Sequence, residues 1–72
     1  MAVYKKITLV GTSPQGVNEA IQAAVERAAE TLRHLCWFEV KEIRGSIENG
    51  KVKEYQVILE VAFRLEGEQG AA

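Results

Sequence analysis

The chain has 72 residues, 26% of them charged, and a formal net charge of −1. That length admits one domain, and the charge balance excludes a global basic field of the kind that holds nucleic acid. With one cysteine (Cys36) and one histidine (His34), an internal disulfide and a metal site of the usual three or four ligands are excluded too.

A chain this short buries only roughly 60–65% of the surface its unfolded form exposes, so a single core is marginal. Small domains compensate with disulfides, metals or self-association, and here self-association is the expected source of extra stability. The N-terminal "MAVYKKITLVG" is too short and too interrupted for a signal peptide, and no run reaches the ~18–20 apolar residues of a membrane span. With its unpaired cysteine, the chain is expected to be a cytoplasmic protein without a membrane partner.

The first element is a strand. "VYKKITLV" (Val3 to Val10) is rich in β-branched residues and runs into the turn signal "GTSPQG". Ser13-Pro14 then reads as a helix start, with Ser13 as N-cap and Pro14 in the first turn. Val17, Ile21, Ala24, Ala28, Leu32 and Leu35 recur at three- and four-residue spacing, opposite Asn18, Gln22, Glu26, Glu30 and Arg33. This predicts an amphipathic helix from about residue 14 to 34, closed by Arg33 and His34 at the negative end of its dipole.

The remainder predicts a hairpin about Asn49-Gly50, a pair suited to the two positive φ angles of a two-residue turn. Pairing outward sets Ile47 opposite Val52, Ile43 opposite Gln56, Val40 opposite Leu59, Phe38 opposite Val61 and Trp37 opposite Ala62. Gly45 is the candidate position for a bulge. Residues 1–66 form the expected domain, and 67–72 ("GEQGAA") a disordered tail. The order is β-α-β-β.

Tyr55, Val57, Leu59, Val61, Phe63 and Leu65 alternate along the last strand and make one apolar face, joined by Phe38 and Val40. The single helix is expected to cover that face. Trp37, Ile43, Ile47, Val52, Gln56, Ile58 and Ala62 are then left on the opposite, outer face. A tryptophan among β-branched residues on a face with no second helix suggests an interface or a ligand surface.

Taken together, "VYKKITLVGTS", "WFEVKEIRG" and "YQVILEVAFRL" resemble the dodecins, small flavin-binding proteins of archaea and bacteria. The resemblance runs from Val3 to Leu65. It implies an α+β fold in which a three-stranded antiparallel sheet wraps part-way round one helix, and a hollow homo-oligomeric shell of twelve subunits. It also implies paired flavins stacked between symmetry-related tryptophans, with a glutamine on the polar edge of each ring. On those positions Trp37 is the stacking residue and Gln56 the ring-edge partner. An indole face suits a flat, electron-poor ring, and a Gln amide matches an edge that both donates and accepts.

"EIRG" resembles the bacterial form, whose members bind flavin mononucleotide (FMN) and in some cases coenzyme A elsewhere on the shell. Arg44 is therefore the candidate phosphate contact, with Lys5, Lys6 and Arg64 behind it. Strict alternation puts Arg44 on the core side, so a bulge near Gly45 is needed to turn it outward. Gly16 and Cys36 depart from the family pattern, but neither touches the ring-contacting pair.

The implied role is non-enzymatic: storage or sequestration of flavin, with quenching of its excited state by Trp37. FMN is the expected ligand, with riboflavin or lumichrome as variants. The alternatives are a coenzyme A-binding shell and a purely structural oligomer. "GTSPQG" lacks the lysine and spacing of a P-loop, so capping by Ser13 is the plainer reading. His34 reads as a surface residue and Cys36 as a small buried apolar group without a base. Glu39 and Glu60, paired on the outer face, lack the cleft of a catalytic dyad and are expected to meet Lys41 or an arginine of another subunit.

Overall fold

The computed structural model describes residues 1–66; the tail expected over 67–72 lies outside the described residues. The elements are β1 (Tyr4–Ser13), α1 (Val17–Ala29), β2 (Leu35–Glu48) and β3 (Lys51–Arg64). The β-α-β-β order is as expected, and the three strands form one antiparallel sheet in the order β1-β3-β2.

The alternation of β3 accounts for the core. Val57, Leu59 and Val61 are fully buried at its centre, each stabilising the fold by about 1.5–3 kcal/mol on burial. Against them α1 lays Ala20, Ala24 and Ala28, one residue per turn, with Val17, Ile21 and Val25 packed alongside. Small residues let the helix sit close to the sheet. A Cβ on Gly11 of β1 would lie 2.1 Å from the Ala20 carbonyl oxygen, so only glycine permits this approach.

The helix is shorter than the 14–34 predicted. It begins after Gly16 and ends at Ala29, with Glu30 as C-cap. Ser13 is not its N-cap: it closes β1, and its Oγ accepts the Gln15 backbone N–H at 3.0 Å, forming the turn that precedes the helix. At the other end the Thr31 and Leu32 N–H groups both donate to the Ala28 carbonyl, and His34 takes a left-handed φ of 63°. Arg33 and His34 therefore belong to the connection, where His34 Nε2 pairs with the Glu66 carboxylate. Cys36, expected to be buried, is exposed.

The Asn49-Gly50 turn is as predicted, with φ of 55° and 75°. Trp37↔Ala62, Phe38↔Val61, Val40↔Leu59 and Ile47↔Val52 also pair as expected. Between them the register slips. Lys41 is an extra residue on β2, so Glu42 pairs with Ile58, Ile43 with Val57 and Arg44 with Gln56. A second irregularity, between Ser46 and Ile47, restores the pairing at the turn. Gly45 is not the bulge. It faces Tyr55, where a Cβ would come within 2.7 Å of the Glu54 carbonyl oxygen, so its role is clearance.

This slip corrects the face assignment. A one-residue shift exchanges the faces of every following side chain. Ile43, expected outside, stands opposite buried Val57 on the helix side, and Ile47 and Val52 follow it beside Tyr55. The helix does not bury them. At 13 residues it spans about 20 Å, whereas a 14-residue strand spans about 46 Å. It packs on β1 and β3 and at most grazes β2. Phe38 and Val40, expected in the core, are consequently half-exposed, and Ile43 and Ile47 remain 57% and 75% exposed.

Candidate functional site

The outer face, opposite the helix, is built in rows across β1, β3 and β2. Lys6, Ala62 and Trp37 form one row, followed by Thr8, Glu60 and Glu39, then Val10, Ile58 and Glu42, then Thr12, Gln56 and Arg44. All three predicted site residues lie on this one face. The bulge at Lys41, not one at Gly45, turns Arg44 outward.

Trp37 is held at its edges and open on the sheet's outer side, with 43% of its surface exposed. Its Nε1–H donates to Glu39 Oε2 at 2.9 Å, two residues on along the same face of β2. The Tyr4 ring packs against it with centroids 4.9 Å apart and planes tilted by 57°. Ala62 beside it in the row is fully buried. These contacts fix the tilt of the indole while leaving part of it free for a second flat ring.

Beside the indole lies an ion-pair network. Lys6 Nζ is 3.2 Å from both Glu39 Oε1 and Glu60 Oε1, and Lys41 Nζ is 3.7 Å from Glu60 Oε1. Glu39 and Glu60 are direct cross-strand partners, a like-charge pair that the two lysines offset. The Trp37 N–H, and after it Lys6, hold the Glu39 carboxyl below its usual range; hydrogen bonds to Glu39 and then Glu60 raise Lys6. Among the secondary phosphate candidates Lys6 is thus already engaged by two carboxylates. Lys5 pairs with Phe63 and so belongs to the helix-side set, while Arg64 is exposed across from Tyr4.

Arg44 and Gln56 meet directly. Arg44 Nε–H donates to Gln56 Oε1 at 2.8 Å, and Gln56 Nε2–H donates onward to Glu54 Oε2 at 2.8 Å. Trp37 and Gln56 do not meet. Ala62, the partner of Trp37, is six residues from Gln56 on β3, which is about 20 Å at strand rise. One chain therefore presents the indole at one end of the face and the amide at the other.

Strand alternation puts Glu39 and Glu54 on the outer face with these residues, but their hydrogen bonds to Trp37 and Gln56, and the contact of Tyr4 with Trp37, are not predicted from the sequence. Tyr4 reaches Trp37 across β3, a non-local pairing that carries no short-range signal. Glu39 and Glu54 had a usable one: each lies two residues from a site residue on the same strand, hence on the same face.

Comparison with known proteins gives consistent results. The family model matching residues 3–66 is that of Dodecin. The dodecin of Thermus thermophilus is 70% identical over 64 residues, covering 89% of this chain and 93% of that protein. A solved structure of dodecin from Streptomyces coelicolor is 52% identical with a TM-score of 0.88, over 90% of this chain and 93% of that one. The calcium dodecin of Mycobacterium tuberculosis is 32% identical over 65 residues, 90% of this chain and 92% of that protein. Its crystal structure, of a calcium-chelating antigen, superposes with a TM-score of 0.78.

Proposed function

This chain is a member of the dodecin family, and from that premise we propose that it is a non-enzymatic flavin-binding protein. Copies of the chain assemble so that two flavins stack between Trp37 residues of symmetry-related subunits, and the protein stores the flavin and quenches its excited state. The observation that carries this reading is Trp37: a lone tryptophan on the face away from the core, gripped at its edge by Glu39 and Tyr4 and still 43% exposed.

The separation of Trp37 from Gln56 supports an assembly. A ring stacked on one chain's indole lies about 20 Å from that chain's amide, so a site using both draws on two copies. The half-exposed strip of Phe38, Val40, Ile43 and Ile47 favours the same conclusion, because an apolar row of this length is costly in water. Arg44 keeps guanidinium N–H groups beyond the one bonded to Gln56, which suits the phosphate of FMN. Calcium belongs to the name of the mycobacterial relative and forms no part of this reading.

The test is fluorescence quenching on titration with FMN, riboflavin and lumichrome, alongside light scattering for assembly size. Trp37→Ala is expected to weaken flavin binding by at least tenfold, the loss of roughly 1.4 kcal/mol or more of stacking, while the assembly persists. Loss of assembly with unchanged flavin affinity per folded subunit would favour a purely structural oligomer. Binding of coenzyme A without flavin quenching would favour the coenzyme A shell.

A further inference from the structure

We infer that Glu54 is a positioning residue that locks the Gln56 amide in one orientation, so that it selects ligands with an unsubstituted imide edge, –CO–NH–. The inference rests on the flavin reading above and names a determinant of specificity for it.

The chain Arg44–Gln56–Glu54 leaves the amide no choice. A guanidinium only donates and a carboxylate only accepts, so Gln56 must turn Oε1 to Arg44 and Nε2 to Glu54, each at 2.8 Å. The flipped amide would set donor against donor at Arg44 and acceptor against acceptor at Glu54. Both bonds involve an ionised partner, which makes them stronger than neutral ones. Among the described residues Glu54 forms no ion pair of its own. Ser46, its partner across the strands, leaves its buried hydroxyl uncommitted and does not compete for the carboxylate.

What remains on Gln56 is one N–H and one oxygen lone pair, in a fixed order with the oxygen towards Arg44 and the nitrogen towards Glu54. Their complement is a ring edge offering an acceptor next to a donor, as a carbonyl adjacent to an imide N–H does. A ligand methylated at that nitrogen loses the donor and meets the lone pair with a methyl group. An amide free to flip discriminates less, because it loses the energy of holding one order.

The experiment compares riboflavin, FMN and N3-methylriboflavin on the wild-type protein, Glu54→Ala and Glu54→Gln, with assembly size checked for each. Wild type is expected to prefer riboflavin over its N3-methyl analogue by roughly tenfold or more. Glu54→Ala should bind riboflavin and FMN roughly three- to tenfold more weakly and lose most of that preference. Glu54→Gln keeps an acceptor oxygen for Gln56 Nε2 and should retain the preference.

A merely electrostatic Glu54 predicts another pattern. Removing its charge would then tighten phosphate-bearing FMN, leave neutral riboflavin unchanged and preserve discrimination against the methylated ring. That outcome, or any in which Glu54→Ala discriminates as wild type does, overturns the positioning role and leaves flavin binding standing. Failure of the wild type to quench riboflavin and FMN overturns the flavin reading and this inference together.

Discussion

The two halves of the helix-side surface carry similar apolar sequences and meet different fates. On β3, Val57, Leu59 and Val61 are sealed beneath α1; on β2, Phe38, Val40, Ile43 and Ile47 lie beside them in the same sheet and remain about half or more exposed. Composition does not separate them, since each row is aliphatic or aromatic. Geometry does. One helix of 13 residues covers the width of about two strands, and β1-β3 takes it all. An apolar strand can therefore be ordered by backbone pairing alone while its side chains wait for another surface.

That contrast can be broken or sharpened by substitution. The largest effect belongs under the helix. Leu59→Ala should destabilise the fold by about 2–5 kcal/mol in urea unfolding, since it removes a fully buried side chain and leaves a cavity. Next comes Gly11→Ala, whose added methyl would sit 2.1 Å from the Ala20 carbonyl. The helix must shift, at a cost of about 1–3 kcal/mol in the same measurement.

The uncovered strip should behave in the opposite way. Ile43→Ser or Ile47→Ser should alter the folding of the individual chain by no more than about 0.5 kcal/mol, because neither side chain is buried within it. Circular dichroism should remain native-like while light scattering reports a smaller assembly. Unfolding comparable to that of Leu59→Ala would show that the two halves do not differ as described.

The smallest effect is electrostatic and lies on the outer face. Glu39 is lowered from its ordinary 4.5, so its contribution is present above that value and is lost as pH falls through the lower folded-state value. Lys6 is raised from 10.5, so its contribution is present below that value and disappears as pH climbs through the higher one. Both groups are open to solvent, which keeps the effect small. Glu39→Gln should flatten the acid limb of the stability–pH curve; an unchanged acid limb would mean the Trp37–Glu39–Lys6 contacts contribute nothing to folding.

Much of the site was legible because it depends on short-range pattern. Counting back from Asn49-Gly50 places Trp37 on the outer face, and its pairing with Ala62 follows that count. Arg44 was not legible, since its outward turn depends on an unpaired Lys41 that has no glycine, proline or other turn residue to mark it. Two compensating irregularities left the pairs at both ends of the hairpin correct while displacing those in the middle. Ile43 and Arg44 exchanged faces for that reason.

By itself, then, the sequence determined the order of elements, the hairpin turn, the alternating core strand and the outward tryptophan, all set by spacings of a few residues. Tertiary structure alone decided which apolar strand the helix covers, which face Arg44 takes, and that Trp37 and Gln56 sit far apart on one chain. Those outcomes depend on the finite reach of a helix and on a bulge settled by packing across the sheet, and neither quantity is written in any local stretch of the chain.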